Sequence, residues 1–96
     1  MTERTEPDFD DDYWRQSFRD FPHADPSRNY EYYQPAYRFG WESYSRYGRR
    51  SFEELDEELQ REWERARDGA SPAWPDARAA AREAWDRAAS HQPPRG

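Results

Sequence analysis

A chain with two leucines and neither valine nor isoleucine has to build its interior from rings. Leu55 and Leu59 are too few to seal a domain, whereas five Trp, seven Tyr and five Phe supply the apolar surface instead. Each buried ring hides about 150–250 Å², so these residues dominate any folding energetics available here. With 96 residues there is room for one small domain of marginal stability. The expected class is all-α, a small bundle of three to four short helices spanning residues 11–90. A disordered acidic tail is expected at 1–10 and a disordered tail at 91–96.

The punctuation of the chain supports that division. Aspartates at 10 and 11 suit the start of a helix running to about Asp20, which Pro22 stops. Residues 23–29 read as a connecting loop, and whether the first helix packs on the rest is left open by its pattern. Pro35 fits the first turn of a second helix better than an interior position. Beyond it Tyr37, Trp41 and Tyr44 recur at i, i+4 and i+7, with Ala36, Phe39 and Tyr47 widening the stripe. A glycine inside that stripe, Gly40, costs about 1 kcal/mol against alanine and points to the close approach of a neighbour. Gly48 reads as the C-cap.

Ser51-Phe52-Glu53-Glu54 is a capping box, and the helix it opens runs to about Arg67 with Phe52, Leu55, Leu59, Trp63 and Ala66 on one face and Gly69 as its stop. Its acids come first and its arginines last, the order that the macrodipole favours. After two prolines, Asp76 to about Ser90 is an alanine-rich helix with the face Trp74, Ala77, Ala81, Trp85, Ala88. Trp63-Glu64-Arg65-Ala66 is echoed by Trp85-Asp86-Arg87-Ala88, either a weak repeat or a shared helical period. The pattern predicts an antiparallel hairpin in which the large residues of one helix meet the alanines of the other.

At Tyr33-Gln34-Pro35-Ala36-Tyr37-Arg38-Phe39-Gly40, with Arg46-Tyr47-Gly48-Arg49, Trp63-Glu64 and Ala84-Trp85-Asp86-Arg87, the chain resembles a group of small uncharacterised bacterial proteins. The resemblance spans most of residues 13–88 and departs at Pro75 and at the alanines of the last helix. It implies a bacterial helical domain, sometimes associated with stress-response proteins, with no established activity or catalytic residues.

Charge and composition narrow the function classes. The net charge of −6 repels nucleic acid and anionic lipid over the molecule as a whole. Every basic residue is Arg, which fits either a nucleotide bias or a preference for planar cations that stack on rings. Without cysteine there is no thiol chemistry, and with no apolar run in the first thirty residues the default is cytoplasmic, without a membrane span. His23 and His91 have no partner at ligand spacing. An EF-hand fails because counting from Asp8 places Tyr13 at the glycine and Arg19 at the bidentate acid. No metal, cofactor or catalytic residue is expected, and the chain is not expected to be an enzyme.

The patch with most functional character interleaves rings and arginines: Arg38, Trp41, Tyr44, Arg46, Tyr47, Arg49 and Arg50. Such a patch can bind a protein partner or mediate self-association as a noncatalytic, stress-associated interaction module. The alternative is a single-stranded nucleic-acid binder that stacks bases on the rings. A third arrangement turns the rings inward and leaves the arginines to pair with Glu53, Glu57 or the amino-terminal acids.

Overall fold

The computed structural model describes residues 9, 11–22, 24–67, 69 and 71–91. The expected tails at 1–10 and 91–96 fall outside these residues apart from Phe9 and the backbone of His91, as do Asp10 and His23. The protein is a small bundle of four short helices: α1 (Asp11–Ser17), extended by a 3-10 turn at Phe18–Asp20, then α2 (Tyr30–Tyr47), α3 (Phe52–Ala66) and α4 (Trp74–His91).

α3 forms where the local signal says it should. Ser51 Oγ accepts from the Glu54 N–H at 3.1 Å while Glu54 Oε1 accepts from the Ser51 N–H at 3.1 Å, so the capping box is complete. Phe52, Leu55, Leu59 and Trp63 are buried along its inner face. Ala66, expected on that face, is exposed. The helix ends there because Arg67 turns extended and spends its guanidinium on Glu64 and the Ser71 carbonyl. Gly69 adopts no positive φ and a Cβ there would meet nothing, so it is not the stop that the sequence suggests. The turn into α4 is fastened by Trp63 Nε1, which donates to the Pro72 carbonyl at 2.8 Å, and by Glu64, which accepts from the Trp74 N–H at 3.0 Å. α4 therefore opens at Trp74 rather than Asp76. Pro75 is accommodated because the first turn has N–H groups without intrahelical partners anyway.

α2 corrects a second expectation. It opens at Tyr30, so Pro35 is its sixth residue and removes the N–H that the Glu31 carbonyl would receive. Burial of Tyr30 and Tyr33, each 3 % exposed, holds the turns before the proline in helical form. Tyr33 OH also accepts from the Asp25 N–H at 2.8 Å, which anchors the preceding loop.

The ion pairs Arg46–Glu62 and Arg50–Glu58 set α2 and α3 antiparallel. Arg78–Asp56 and Arg82–Glu53 do the same for α3 and α4. The expected antiparallel α3–α4 pairing is present, but the closest backbone approach of α4 is to α2. Ala36, Gly40 and Ser43 form a small-residue stripe on α2, facing an α4 whose Ala77, Ala80, Ala81, Ala84 and Ala88 are fully buried. Larger rings fill the wider space toward α3. Phe52 stacks on Trp74 at 6.3 Å and meets Trp85 edge-on at 5.5 Å, while Arg78 and Arg82 both cover its ring at 5.4 Å. The echo between Trp63 and Trp85 is thus not structural equivalence. The first indole closes a turn, and the second packs between Phe52 and Tyr44.

α1 packs on the core. Trp14, 1 % exposed, stacks on Tyr37 at 4.6 Å, and Phe18 lies against Tyr30 and Tyr33. Asp11, a candidate cap, accepts from Tyr30 OH at 2.7 Å instead.

One buried polar group lies in the tightest contact. Ser43 is 0 % exposed and its Oγ has no hydrogen-bond partner among the described residues. Removing an unanswered buried hydroxyl relieves a desolvation penalty of about 1–3 kcal/mol. Ser43→Ala is therefore expected to stabilise the protein by about 1 kcal/mol in urea unfolding, with an unchanged m-value.

Candidate interaction surface

The α2–α3 corner is built from Tyr47 to Ser51, where the Arg50 N–H donates to the Tyr47 carbonyl at 3.0 Å before the capping box begins. Gly48 is the C-cap as expected, though with φ −64° rather than a left-handed conformation. Its missing side chain makes room for Tyr44, since a Cβ there would lie 2.6 Å from the Tyr44 carbonyl oxygen and 2.8 Å from its ring.

The seven residues of the ring–arginine patch divide at this corner. Trp41 and Tyr44, each 5 % exposed, point inward: Trp41 takes the edge of Phe9 at 6.3 Å, and Tyr44 stands edge-on to Trp85 at 5.3 Å. Arg38, Arg46, Arg49 and Arg50 are exposed and Tyr47 is half-buried at their margin. Arg38 donates to Glu42 at 2.9 Å. Arg46 and Arg50 stand 3.7 and 3.9 Å from Glu62 and Glu58, at the outer limit of an ion pair. Tyr47 OH donates to Glu62 at 2.7 Å, and this bond to a carboxylate, with burial, raises its pKa. For Arg38, Arg46 and Arg50 the acids are therefore Glu42, Glu62 and Glu58 rather than Glu53 or Glu57, and most of the amino-terminal run lies outside the described residues. The surface part of the patch is a cationic corner edged by one phenol. It can take carboxylates through paired N–H donors, which suits the planar fork of Arg.

Arginine also has an architectural role. Arg15 covers Tyr30 at 4.8 Å, Arg28 covers Tyr32 at 4.3 Å and Arg87 covers Tyr13 at 3.5 Å. These contacts roof rings that would otherwise face water, as the stacking explanation of the all-Arg composition requires. Tyr13 and Arg87 are a pairing that sequence reasoning missed, because nothing local links residues that far apart. A shallow groove of about 260 Å³ between α2 and the end of α3 was equally invisible; it is lined by Pro35, Phe39 and Trp63, with Arg38 and Arg67 beside them.

Among the described residues no group of three or more His, Cys, Asp and Glu is placed to hold a metal ion, and no helix is long and apolar enough to cross a membrane. Comparison with protein-family models, curated proteins and solved structures finds no match.

Ionisation of the core bounds the pH range. Burial, reinforced for Tyr30 by its bond to Asp11, pushes the Tyr30 phenol well above its usual value, and burial does the same to Tyr37. A folded-state pKa above the unfolded one contributes stability that is complete below about pH 10 and lost as pH rises further. The melting temperature is expected to fall steeply above pH 10. On the acid side, Glu53 is depressed by its own backbone N–H and then by Arg82, and Glu64 by Arg67 and then by the Trp74 N–H. Their contribution is present above about pH 4.5 and lost below it. Burial shifts Glu83 the other way, so its protonation partly offsets that loss.

Proposed function

We propose that the protein is a noncatalytic, cytoplasmic interaction module that presents its α2–α3 corner to an acidic segment of a protein partner. The observation that carries this reading is the exposure of Arg46, Arg49 and Arg50 within five residues of an acidic chain, while the neighbouring rings Trp41 and Tyr44 face the core. The long ion pairs of Arg46 and Arg50 leave both guanidiniums able to exchange Glu62 and Glu58 for external carboxylates. A single exposed pair is worth only about 0.2–1 kcal/mol, so useful affinity needs several at once, and a cluster supplies them. The resemblance to small bacterial proteins supports a bacterial setting and an association with the stress response.

Recognition of single-stranded nucleic acid is the less favoured reading. Stacking platforms must face outward, and here two of the three rings in the patch are buried. What remains is phosphate attraction, opposed by the net charge of −6.

Titration with a fluorescein-labelled hexaglutamate peptide at low ionic strength tests the proposal. Binding is expected to weaken at least tenfold in the triple variant Arg46→Glu, Arg49→Glu, Arg50→Glu and to weaken steeply with salt. Equal binding by the triple variant would refute the corner. Tighter binding of a mixed-sequence single-stranded oligonucleotide, with tryptophan quenching, would favour the nucleic-acid reading.

A further inference from the structure

α1 is seated on the bundle mainly through rings. Its two buried rings, Trp14 and Phe18, stand at i and i+4 and occupy a trough formed by Tyr30, Tyr33 and Tyr37 of α2. On the α4 side, Arg87 lies over Tyr13. This seat leaves two donors unanswered: Trp14 Nε1 and Arg87 Nε are both buried without an acceptor among the described residues. The indoles of Trp63 and Trp74 have theirs, in the Pro72 carbonyl and Asp56. An unanswered buried donor weakens the docked state relative to an open one in which water answers it. Release of α1 need not dismantle the loop behind it either, because that loop is tied to α2 by the Asp25 N–H on Tyr33 OH and stiffened by Pro22 and Pro26.

We propose that α1 is a displaceable segment, and that its seat receives a helix from a protein partner bearing two rings at i and i+4 and a carboxylate directed at Arg87. The ring spacing is the one that the trough already accommodates in Trp14 and Phe18. The carboxylate follows from Arg87, a buried guanidinium edge that has a ring to lie on and no acceptor. The seat already takes an acid beside Tyr30, whose OH donates to Asp11. Such a ligand gains where α1 does not, because it answers the Arg87 donor and lets the Trp14 indole return to water. This inference is independent of the arginine corner.

The test uses the full chain carrying Trp14→Ala and two fluorescein-labelled peptides, one with the sequence of residues 9–21 and one with Glu in place of Tyr13. Both are expected to bind the variant saturably and the unaltered chain at least tenfold more weakly. The glutamate peptide is expected to bind at least fivefold tighter than the other, and Arg87→Gln in the receiving chain to erase that difference. Absence of saturable binding to a helical Trp14→Ala chain overturns the proposal, as does equal affinity of the two peptides. Should Trp14→Ala fail to fold, hydrogen exchange on the unaltered chain decides. Exchange of the Trp14 indole N–H while α2 and α4 remain protected supports displacement, and exchange only on global unfolding refutes it. Added to the Trp14→Ala chain, the triple arginine substitution is expected to leave the difference in affinity between the two peptides unchanged, which separates failure of one surface from failure of the other.

Discussion

Gly40→Ala is expected to destabilise the protein by about 3 kcal/mol, a fall in Tm of roughly 12–24 °C for a domain of this size. Helix propensity alone predicts the opposite, since alanine is favoured over glycine by about 1 kcal/mol in a helix interior. The packing term wins because of what the new methyl meets. A Cβ at Gly40 would lie 2.7 Å from the carbonyl carbon and 2.8 Å from the Cα of Ala81, closer still to its carbonyl oxygen. These are backbone atoms inside α4 and cannot swing aside as the end of a side chain would. Only a shift of the whole helix relieves the contact, and that shift loosens the buried alanines on either side of Ala81. Circular dichroism melting of Gly40→Ala beside Gly48→Ala separates the mechanisms, because at Gly48 part of the clash is with the Tyr44 ring, which can move. An unchanged or raised Tm in Gly40→Ala would show that α2 and α4 do not approach as described.

Truncation of Tyr37 is expected to cost about 4 kcal/mol, in the range for removing a large buried side chain from a packed core. Tyr37 is 0 % exposed and is the ring on which two others stack, Trp14 at 4.6 Å and Tyr30 at 6.2 Å, with Phe21 and Tyr33 tilted around it. Tyr37→Ala therefore removes the floor under α1 as well as filling volume in α2. Near-ultraviolet circular dichroism should lose the Trp14 contribution, and urea unfolding should report the stability loss. By comparison Phe39→Ala, at a half-buried position, should cost much less, with α1 undisturbed. A loss at Tyr37 no larger than that at Phe39 would mean that the stack carries little of the packing energy.

Much of the local structure was legible in the chain. The capping box at Ser51 could be read because both of its bonds lie within four residues and depend on no other element. The buried positions of α3 up to Trp63 followed from helical period, which also placed Tyr37, Trp41 and Tyr44 on one stripe of α2. Pro35 misled because the rule that places proline in a first turn is a local preference of about 3 kcal/mol, which two buried tyrosines upstream outweigh. Ala66 and Gly69 misled for a related reason: the end of α3 is decided by the Arg67 and Trp63 side chains reaching across the turn.

The candidate surface divided in the same way. That rings and arginines alternate between Arg38 and Arg50 is a property of the chain, but which of them face outward depends on where α4 and α1 lie. Trp41 and Tyr44 are withdrawn because Phe9 and Trp85 close over them, and Arg46 and Arg50 stay outside because Glu62 and Glu58 lie on an exposed side of α3.

What the amino-acid order determined by itself was a bundle of short helices, most of the inward side of α2, α3 and α4, and a core made of rings. Periodicity and capping act over a few residues and need no knowledge of neighbours. Only the three-dimensional arrangement decided that α4 sets its alanines against Ala36, Gly40 and Ser43 of α2, and that α1 closes the bundle through Trp14. Those choices turn on how near two backbones can come, a property of side-chain volumes on separate helices that no single segment contains.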